Sequence, residues 1–287
     1  MFSIIIPTFN NLNYLKLCIK SIKKNSYFDH EIIVHVNVGD DGTIDYLKKE
    51  NIIYTYSKDN IGICEGVNKA ALLSNRKYIL YSHDDFYFCP EWDIVLNNEI
   101  KLLDTDYFYL SGTMIKNGQV NLDCGDNLVN FDEGKLLDNY KSIVFHDFQG
   151  STWAPHLIPK IIWDKVGGFS EEYFPGTGSD PDLNKKLWDI GVRIFKGLQH
   201  CKVYHFGSIV TRQKEKKYQS ITETGSKGSK IFLLKWGFTI KFFKKYYLKS
   251  DDVYNGPLQN PKRNLTYFIN LFKCKIYLMY LKIFFKF

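Results

Sequence analysis

The feature that most restricts the fold is a regular alternation of short apolar runs with helical-period segments, sustained from the N-terminus through Tyr81. Ile4-Ile5-Ile6 is a β-branched run closed by Pro7, the pattern of a strand buried on both faces. Asn10 or Asn11 can cap the next segment, where Leu12, Leu15, Cys18, Ile19 and Ile22 recur at helical spacing. Glu31 to Val36 reads as a second strand. Ile52 to Tyr56 reads as a third after a short Lys-rich helix, and Tyr78 to Tyr81 as a fourth after a helix marked by Val67, Ala70, Ala71 and Ser74. The order βαβαβαβ predicts an α/β fold with a mostly parallel central sheet and helices on both faces. Ligands of such sheets bind at the carboxyl ends of the strands, so the polar residues after each strand are the ones to inspect.

Those positions hold Pro7-Thr8-Phe9-Asn10, then Asn37 to Thr43, then Asn60-Ile61-Gly62, then His83-Asp84-Asp85. The chain has no GxGxxG and no GxxxxGK[ST], so the glycine loops that cradle phosphates in dinucleotide and P-loop sites are absent. A diphosphate bound here needs a metal. Two carboxylates after a buried strand suit a hard cation such as Mg²⁺ or Mn²⁺, although the same pair also reads as a turn or a helix cap.

Further along, Phe108 to Trp163 alternates poorly and is rich in glycine, which predicts short antiparallel strands and loops over one side of the sheet. Gly178 to Gly191 reads as a short helix, with Asp180 before Pro181 and an apolar stripe of Leu183, Leu187 and Ile190. Arg193 to Lys196 and Lys202 to Tyr204 read as two further strands, with His205 closing the second. Six cysteines without CxxC spacing suggest neither a zinc site nor a disulfide framework.

Taken in order, Ser3-Ile4-Ile5-Ile6-Pro7-Thr8-Phe9-Asn10, Asp41-Gly42-Thr43, Asn60-x-Gly62, His83-Asp84-Asp85, Gly167-Gly168-Phe169-Ser170-Glu171-Glu172-Tyr173-Phe174 and His205-Phe206-Gly207-Ser208 resemble glycosyltransferase family 2. Lys235-Trp236-Gly237 adds a weaker match. The resemblance implies a GT-A, Rossmann-like fold and an inverting transferase. Such an enzyme moves a sugar from a nucleotide diphosphate, of UDP type, to a hydroxyl of a glycan or lipid-linked acceptor in polysaccharide or glycoconjugate synthesis. It implies that Pro7, Thr8, Asn10, Asn37, Asp41, Asn60 and Asp84 hold the donor, and that Asp85 and His205 bind Mn²⁺ or Mg²⁺. The family's acidic pair after strand two falls at Val36-Asn37 in a gapless register, or at Asp40-Asp41 if that strand is longer; the gapless register points to Asn37. Asp180 becomes the general base, with Ser179 where the family commonly has a second acid. An Asp before Pro at a helix start is equally a common N-cap. Asp182 is the fallback base or acceptor contact, and Trp153 and Trp163 are candidates to stack on an acceptor sugar, although isolated Trp residues more often belong to a core. A non-catalytic carbohydrate-binding relative and a sugar nucleotidyltransferase stand as alternatives.

The net charge of +7 is uneven, with Lys and Arg crowded between Arg212 and Phe287. Asn264 to Phe287 mixes aromatic and aliphatic residues with Lys273, Lys275, Lys282 and Lys286, so no uncharged run is long enough to span a bilayer. This arm reads either as a helix packed on the catalytic domain or as one lying on an anionic membrane. No nucleic acid is expected as a partner. The expected organisation is a catalytic unit over 1–212, with a nucleotide-sugar half (1–107) and an acceptor half (108–212), followed by a basic, helical extension over 213–287. A cytoplasmic protein, peripheral at the inner face of a membrane if the arm binds lipid, is the corresponding expectation.

Overall fold

The structure, a computed structural model, describes residues 1–207, 221–250 and 252–284, with backbone alone for 221–226 and 284. Ser208, Arg212, the expected boundary after 212, Lys286 and Phe287 lie outside the described residues. The first half follows the expected alternation. Strands β1 (Phe2–Phe9), β2 (Glu31–Asn37), β3 (Ile53–Ser57) and β4 (Tyr78–Tyr81) are joined by helices α1 (Leu12–Asn25), α2 (Thr43–Lys49) and α3 (Gly62–Ala71). All their pairings are parallel, in the order β3-β2-β1-β4. The chain steps outward from β1 to β3 and then returns past β1 to β4. Right-handed crossovers therefore place α1 and α2 on one face and α3 on the other. That reversal opens a crevice between the carboxyl ends of β1 and β4, the switch point at which such sheets take ligands.

Pro7 does not end β1, as the sequence suggests; the strand runs on to Phe9. Beyond Ile5, which pairs with Tyr81, β4 has already left the sheet, and Pro7 is accompanied by His35 of β2. A missing N–H is tolerated where one side of a strand is open.

The second half extends the same sheet instead of covering it. Its elements are β5 (Phe86–Phe88), α4 (Trp92–Leu102), β6 (Phe108–Ile115), α5 (Glu133–Asn139), β7 (Phe148–Gln149), β8 (His156–Pro159), α6 (Lys160–Val166), α7 (Ser179–Asp189) and β9 (Ile194–His205). The full order is β3-β2-β1-β4-β8-β6-β9-β5, with β7 also on β9. Antiparallel β8 beside β4 ends the parallel half. β6 is buried at all its positions, so it shows no alternation for a period-two reading to find. The two strands expected at Arg193–Lys196 and Lys202–Tyr204 are one, β9, whose pairing with β6 shifts register between Ser111 and Thr113. Between those pairs β9 advances five residues while β6 advances two, an irregularity that lets β9 carry extra residues without breaking.

After residue 220 come α8 (Ile221–Trp236), α9 (Ile240–Phe243), a π turn over Lys244–Leu248, and α10 (Leu265–Phe284). The extension is stitched to the sheet: the Gln149 N–H donates to Asp252 at 2.8 Å and the Leu258 N–H to Arg193 at 2.8 Å. All six cysteines are buried and unpaired.

Candidate active site

At the switch point, the Thr8 hydroxyl at the end of β1 donates to the Asp84 carboxylate, just past the end of β4, at 2.7 Å. The bond ties the two strand ends that flank the crevice. Burial, and next the charge of Asp85, push the Asp84 carboxyl above the usual carboxylate range.

His83, Asp85 and His205 converge, with one potential ligand atom from each lying within 4.8 Å of the others. The sequence separates His205 from the pair by some 120 residues, and the sheet closes that gap. β5 follows directly after Asp85 and pairs antiparallel with β9, setting Phe86 opposite His205, while the Phe206 N–H donates to the Asp85 carbonyl. Asp85 is 4% exposed and His205 8% exposed. His205 Nδ1 lies 3.3 Å from the Asn117 carbonyl, an oxygen that only accepts, so this ring nitrogen carries the hydrogen. Nε2 then presents a lone pair toward Asp85 Oδ2 at 3.5 Å and has no hydrogen-bond partner among the described residues. A lone pair facing a carboxylate oxygen in a buried site is favourable only with a proton or a cation between them. Burial lowers the His83 pKa to about 4 against the opposing pull of Asp85, which keeps this imidazole neutral and able to ligate. Two imidazole nitrogens and a carboxylate oxygen suit Mn²⁺, so the residues present fit a divalent cation. His83 belongs to the His83-Asp84-Asp85 motif, but the sequence alone points only to Asp85 and His205 as ligands. The His83 ring lies against Phe86 and 5.8 Å from that of His205, neighbours that only the β5–β9 pairing reveals.

Asp180 lies in the first turn of α7, but it is not the cap: Gly178, at φ +90°, holds that position, without a side-chain cap bond. Asp180 Oδ1 is buried with no hydrogen-bond partner among the described residues, and burial raises the carboxyl pKa to about 7. The hydroxyl of Tyr81, the last residue of β4, is raised by burial and then by the charges of Asp180, Asp84 and Asp85 among its neighbours. Asp180, Asp84 and Asp85 are thus all close enough for their charges to act on the Tyr81 hydroxyl.

Asp182 is placed elsewhere. Residues two apart on a helix face different ways, and Asp182 is fully buried. It accepts from the Ser170 hydroxyl at 2.6 Å, Tyr173 OH at 3.2 Å and Trp236 Nε1 at 2.7 Å, with Lys235 Nζ at 3.1 Å. It is committed to anchoring the end of α8 onto α7, which does not fit the fallback role read from sequence. Trp163 is likewise core, 3% exposed and edge-on to Phe169. Trp153 is partly buried, and Lys244 Nζ sits over its ring at 4.5 Å, on a face that stacking on a sugar would require.

The donor-side candidates are held by mutual bonds. Asn37 ends β2, which favours the short strand and the gapless register. Its Oδ1 accepts from the Ile61 N–H at 2.9 Å and the Ser57 hydroxyl at 3.2 Å. Asn11 holds the N-cap position of α1, as the sequence suggests, but its side chain makes no cap bond; Asp41 supplies one by accepting from the Leu12 N–H at 2.8 Å, and it also takes the Thr43 hydroxyl at 2.7 Å. Asn10, at φ +46°, accepts from the Asp40 N–H at 2.9 Å. Asn60 accepts from the Gly62 N–H at 2.9 Å. Gly62 has φ +81°, and a Cβ there would sit 2.7 Å from Phe174 and 3.2 Å from the Pro175 carbonyl. Only glycine allows this close approach, which seats the 174–175 loop on the start of α3.

Residues 3–154 match the model of glycosyl transferase family 2. The chain belongs to that family. An uncharacterized glycosyltransferase of Rickettsia prowazekii is 31% identical over 174 residues, covering 59% of this chain and 53% of the relative. One of Rickettsia typhi is 30% identical over 174 residues with the same coverage. The chain thus spans about half the length of these curated relatives. Among solved structures, S. aureus TarS 1-349 in complex with UDP-GlcNAc is similar at TM-score 0.55 and 14% identity, covering 88% of this chain and 67% of that one. S. aureus TarS 1-349 without that ligand in its description gives TM-score 0.54 and 16% identity, with 80% and 68% coverage. At such identities the likeness is one of fold, the GT-A fold. Family membership and fold stand together with a mixed sheet whose first four strands are parallel.

Proposed function

We propose that this family 2 member is an inverting, metal-assisted glycosyltransferase that moves a sugar from a UDP-type donor to a hydroxyl of a glycan or lipid-linked acceptor. The observation that carries the proposal is the convergence of His83, Asp85 and His205 beside the Thr8–Asp84 pair at the switch point. The UDP-GlcNAc complex of a protein of the same fold supports a nucleotide-sugar donor.

His83, Asp85 and His205 would hold Mn²⁺ or Mg²⁺, which when bound neutralises charge on a leaving diphosphate. Thr8 and Asp84 position the donor at the crevice. Asn37, Asn60 and Asp41 shape the loops around the base by their bonds to backbone N–H groups, Asn10 fixes the turn after β1 through the Asp40 N–H, and Pro7 lies within β1 on the approach to the donor. Asp180 takes the proton of the acceptor hydroxyl as its oxygen attacks the anomeric carbon. The carbon–oxygen bond to the β-phosphate breaks, the electron pair leaves with the nucleotide diphosphate, and configuration inverts. A carboxyl held near pH 7 by burial is matched to that task. Residues 1–212 would form the catalytic unit, with the later helices bracing α7 through Asp182.

A panel of nucleotide sugars assayed by release of nucleotide diphosphate, with and without Mn²⁺, tests the proposal. Metal-dependent release from one donor, increased by an acceptor, is expected. Binding of sugars without any release from any donor would favour the non-catalytic alternative, and pyrophosphate exchange with a nucleoside triphosphate would favour a nucleotidyltransferase.

A further inference from the structure

Helix α10 is apolar on two opposite sides, and only one of them is covered. Tyr267, Leu271, Cys274, Leu278 and Leu281, spaced four, three, four and three residues apart, face the protein; Tyr267, Cys274 and Leu281 are buried. This side packs on α8 and on the 239–247 segment, with the Tyr267 ring 5.0 Å from Phe242 and Cys274 Sγ 3.8 Å from Thr239 Oγ1.

At about 100° per residue, Leu265, Phe268, Phe272, Ile276, Met279 and Ile283 fall about 100–180° around the helix from the centre of the packed side. Each is between 51% and 76% exposed. A stripe of this kind, running along a 20-residue helix, is what soluble monomers avoid leaving in water. Its margins are charged with one sign. Lys275 and Lys282 border it on one edge and Lys273 on the other, all exposed.

We infer that the outward face of α10 is a docking surface for an anionic lipid bilayer, with the helix lying in the plane of the interface. Charge selects this occupant. From Val253 to Phe287 the sequence holds Lys262, Arg263, Lys273, Lys275, Lys282 and Lys286 and no Asp or Glu. A second copy of the chain would bring like charges together around the stripe, whereas anionic headgroups would complement them while the stripe enters the acyl boundary. The lysine stems reach up past the apolar residues so that their ammonium groups meet the headgroups. The helix does not cross: among the described residues no helix is long and apolar enough to do so. The other side of α10 is tied through α8 to Asp182 on α7, so docking presents the catalytic helix at a fixed attitude to the surface. This inference is independent of the donor chemistry proposed above, and its test uses no donor.

The experiment is flotation of the full chain with phosphatidylcholine vesicles and with vesicles containing added phosphatidylglycerol, at low and high salt. Binding to the anionic vesicles, weakened by salt and absent with phosphatidylcholine alone, is expected. F272S/I276S should weaken it about tenfold or more with an unchanged melting temperature, because both side chains already face water. K275E/K282E should weaken binding to anionic vesicles at least as much, each lysine near the surface contributing about fivefold. Should the serine pair disturb folding, the glutamate pair carries the test alone. The inference is overturned if the wild-type chain fails to float with anionic vesicles, if both variants float like wild type, or if the wild-type chain sediments as a dimer that F272S/I276S dissociates.

Discussion

Asp180→Asn should separate activity from stability and move them in opposite directions. The substitution keeps the shape of a side chain that does not cap α7 and whose Oδ1 has no partner among the described residues. An amide cannot take the acceptor proton, and loss of a general base costs about 10²–10⁴-fold in rate. Stability follows from the raised pKa. The unfolded carboxyl titrates near 3.8 and the folded one near 7. Between those values the folded chain keeps a proton that the unfolded chain has shed, so stability falls as pH rises from about 4 and the penalty is complete above about 7. Three pKa units correspond to at most about 4 kcal/mol, reduced by solvent that reaches the partly exposed residue. The Asn variant escapes this penalty. Its melting temperature should match wild type near pH 4 and exceed it by a few degrees at pH 8. In wild type, turnover at saturating Mn²⁺ should rise with pH toward a plateau above about 7, and the variant should lack that limb. Near wild-type turnover in the variant, measured with a donor that the panel has verified, would refute the base assignment. A melting temperature lowered at pH 8 would refute the burial argument.

Two other substitutions test the frame around the site. Asp182→Ala strands the Trp236, Tyr173, Ser170 and Lys235 donors and should cost about 3–5 kcal/mol in urea denaturation. Its nucleotide binding should survive at low temperature; a loss under about 1 kcal/mol would show that the α7–α8 anchor is not needed. Gly62→Ala forces a Cβ at φ +81° into Phe174 and the Pro175 carbonyl, and should cost about 1–3 kcal/mol. An unchanged melting temperature would show that the 174–175 loop simply moves aside.

The parallel half of the sheet was legible because β-branched runs such as Ile4-Ile5-Ile6 alternate with helical spacing, and Tyr78 to Tyr81 emerged with both ends correct. The second half, where β6 runs parallel to β9 and the other pairings are antiparallel, was not. β6 is buried on both faces and has no period, while β5 is three residues, Phe86 to Phe88, that gain strand character only by pairing with β9. That pairing is what carries His205 to Asp85, so residue types suggested the metal site but only topology assembles it. Asp182 shows the converse. Its spacing from Asp180 made it a plausible second base, and nothing local reveals that Trp236 and Lys235, more than fifty positions on, claim its carboxylate. The arm illustrates why a one-dimensional reading left two choices open: α10 packs on the protein with one face and leaves an equally apolar face outward.

The most direct test of the central claim is calorimetric titration of UDP into the wild-type chain and into Asp85→Ala, each with and without Mn²⁺. Asp85 is buried beside His83 and His205, and removing its carboxylate leaves too few ligands to hold the cation on a diphosphate. The account predicts that Mn²⁺ tightens UDP binding in the wild-type chain and has no effect in the variant. Equal affinity with and without Mn²⁺ in the wild-type chain, or a full Mn²⁺ effect retained in Asp85→Ala, would contradict it.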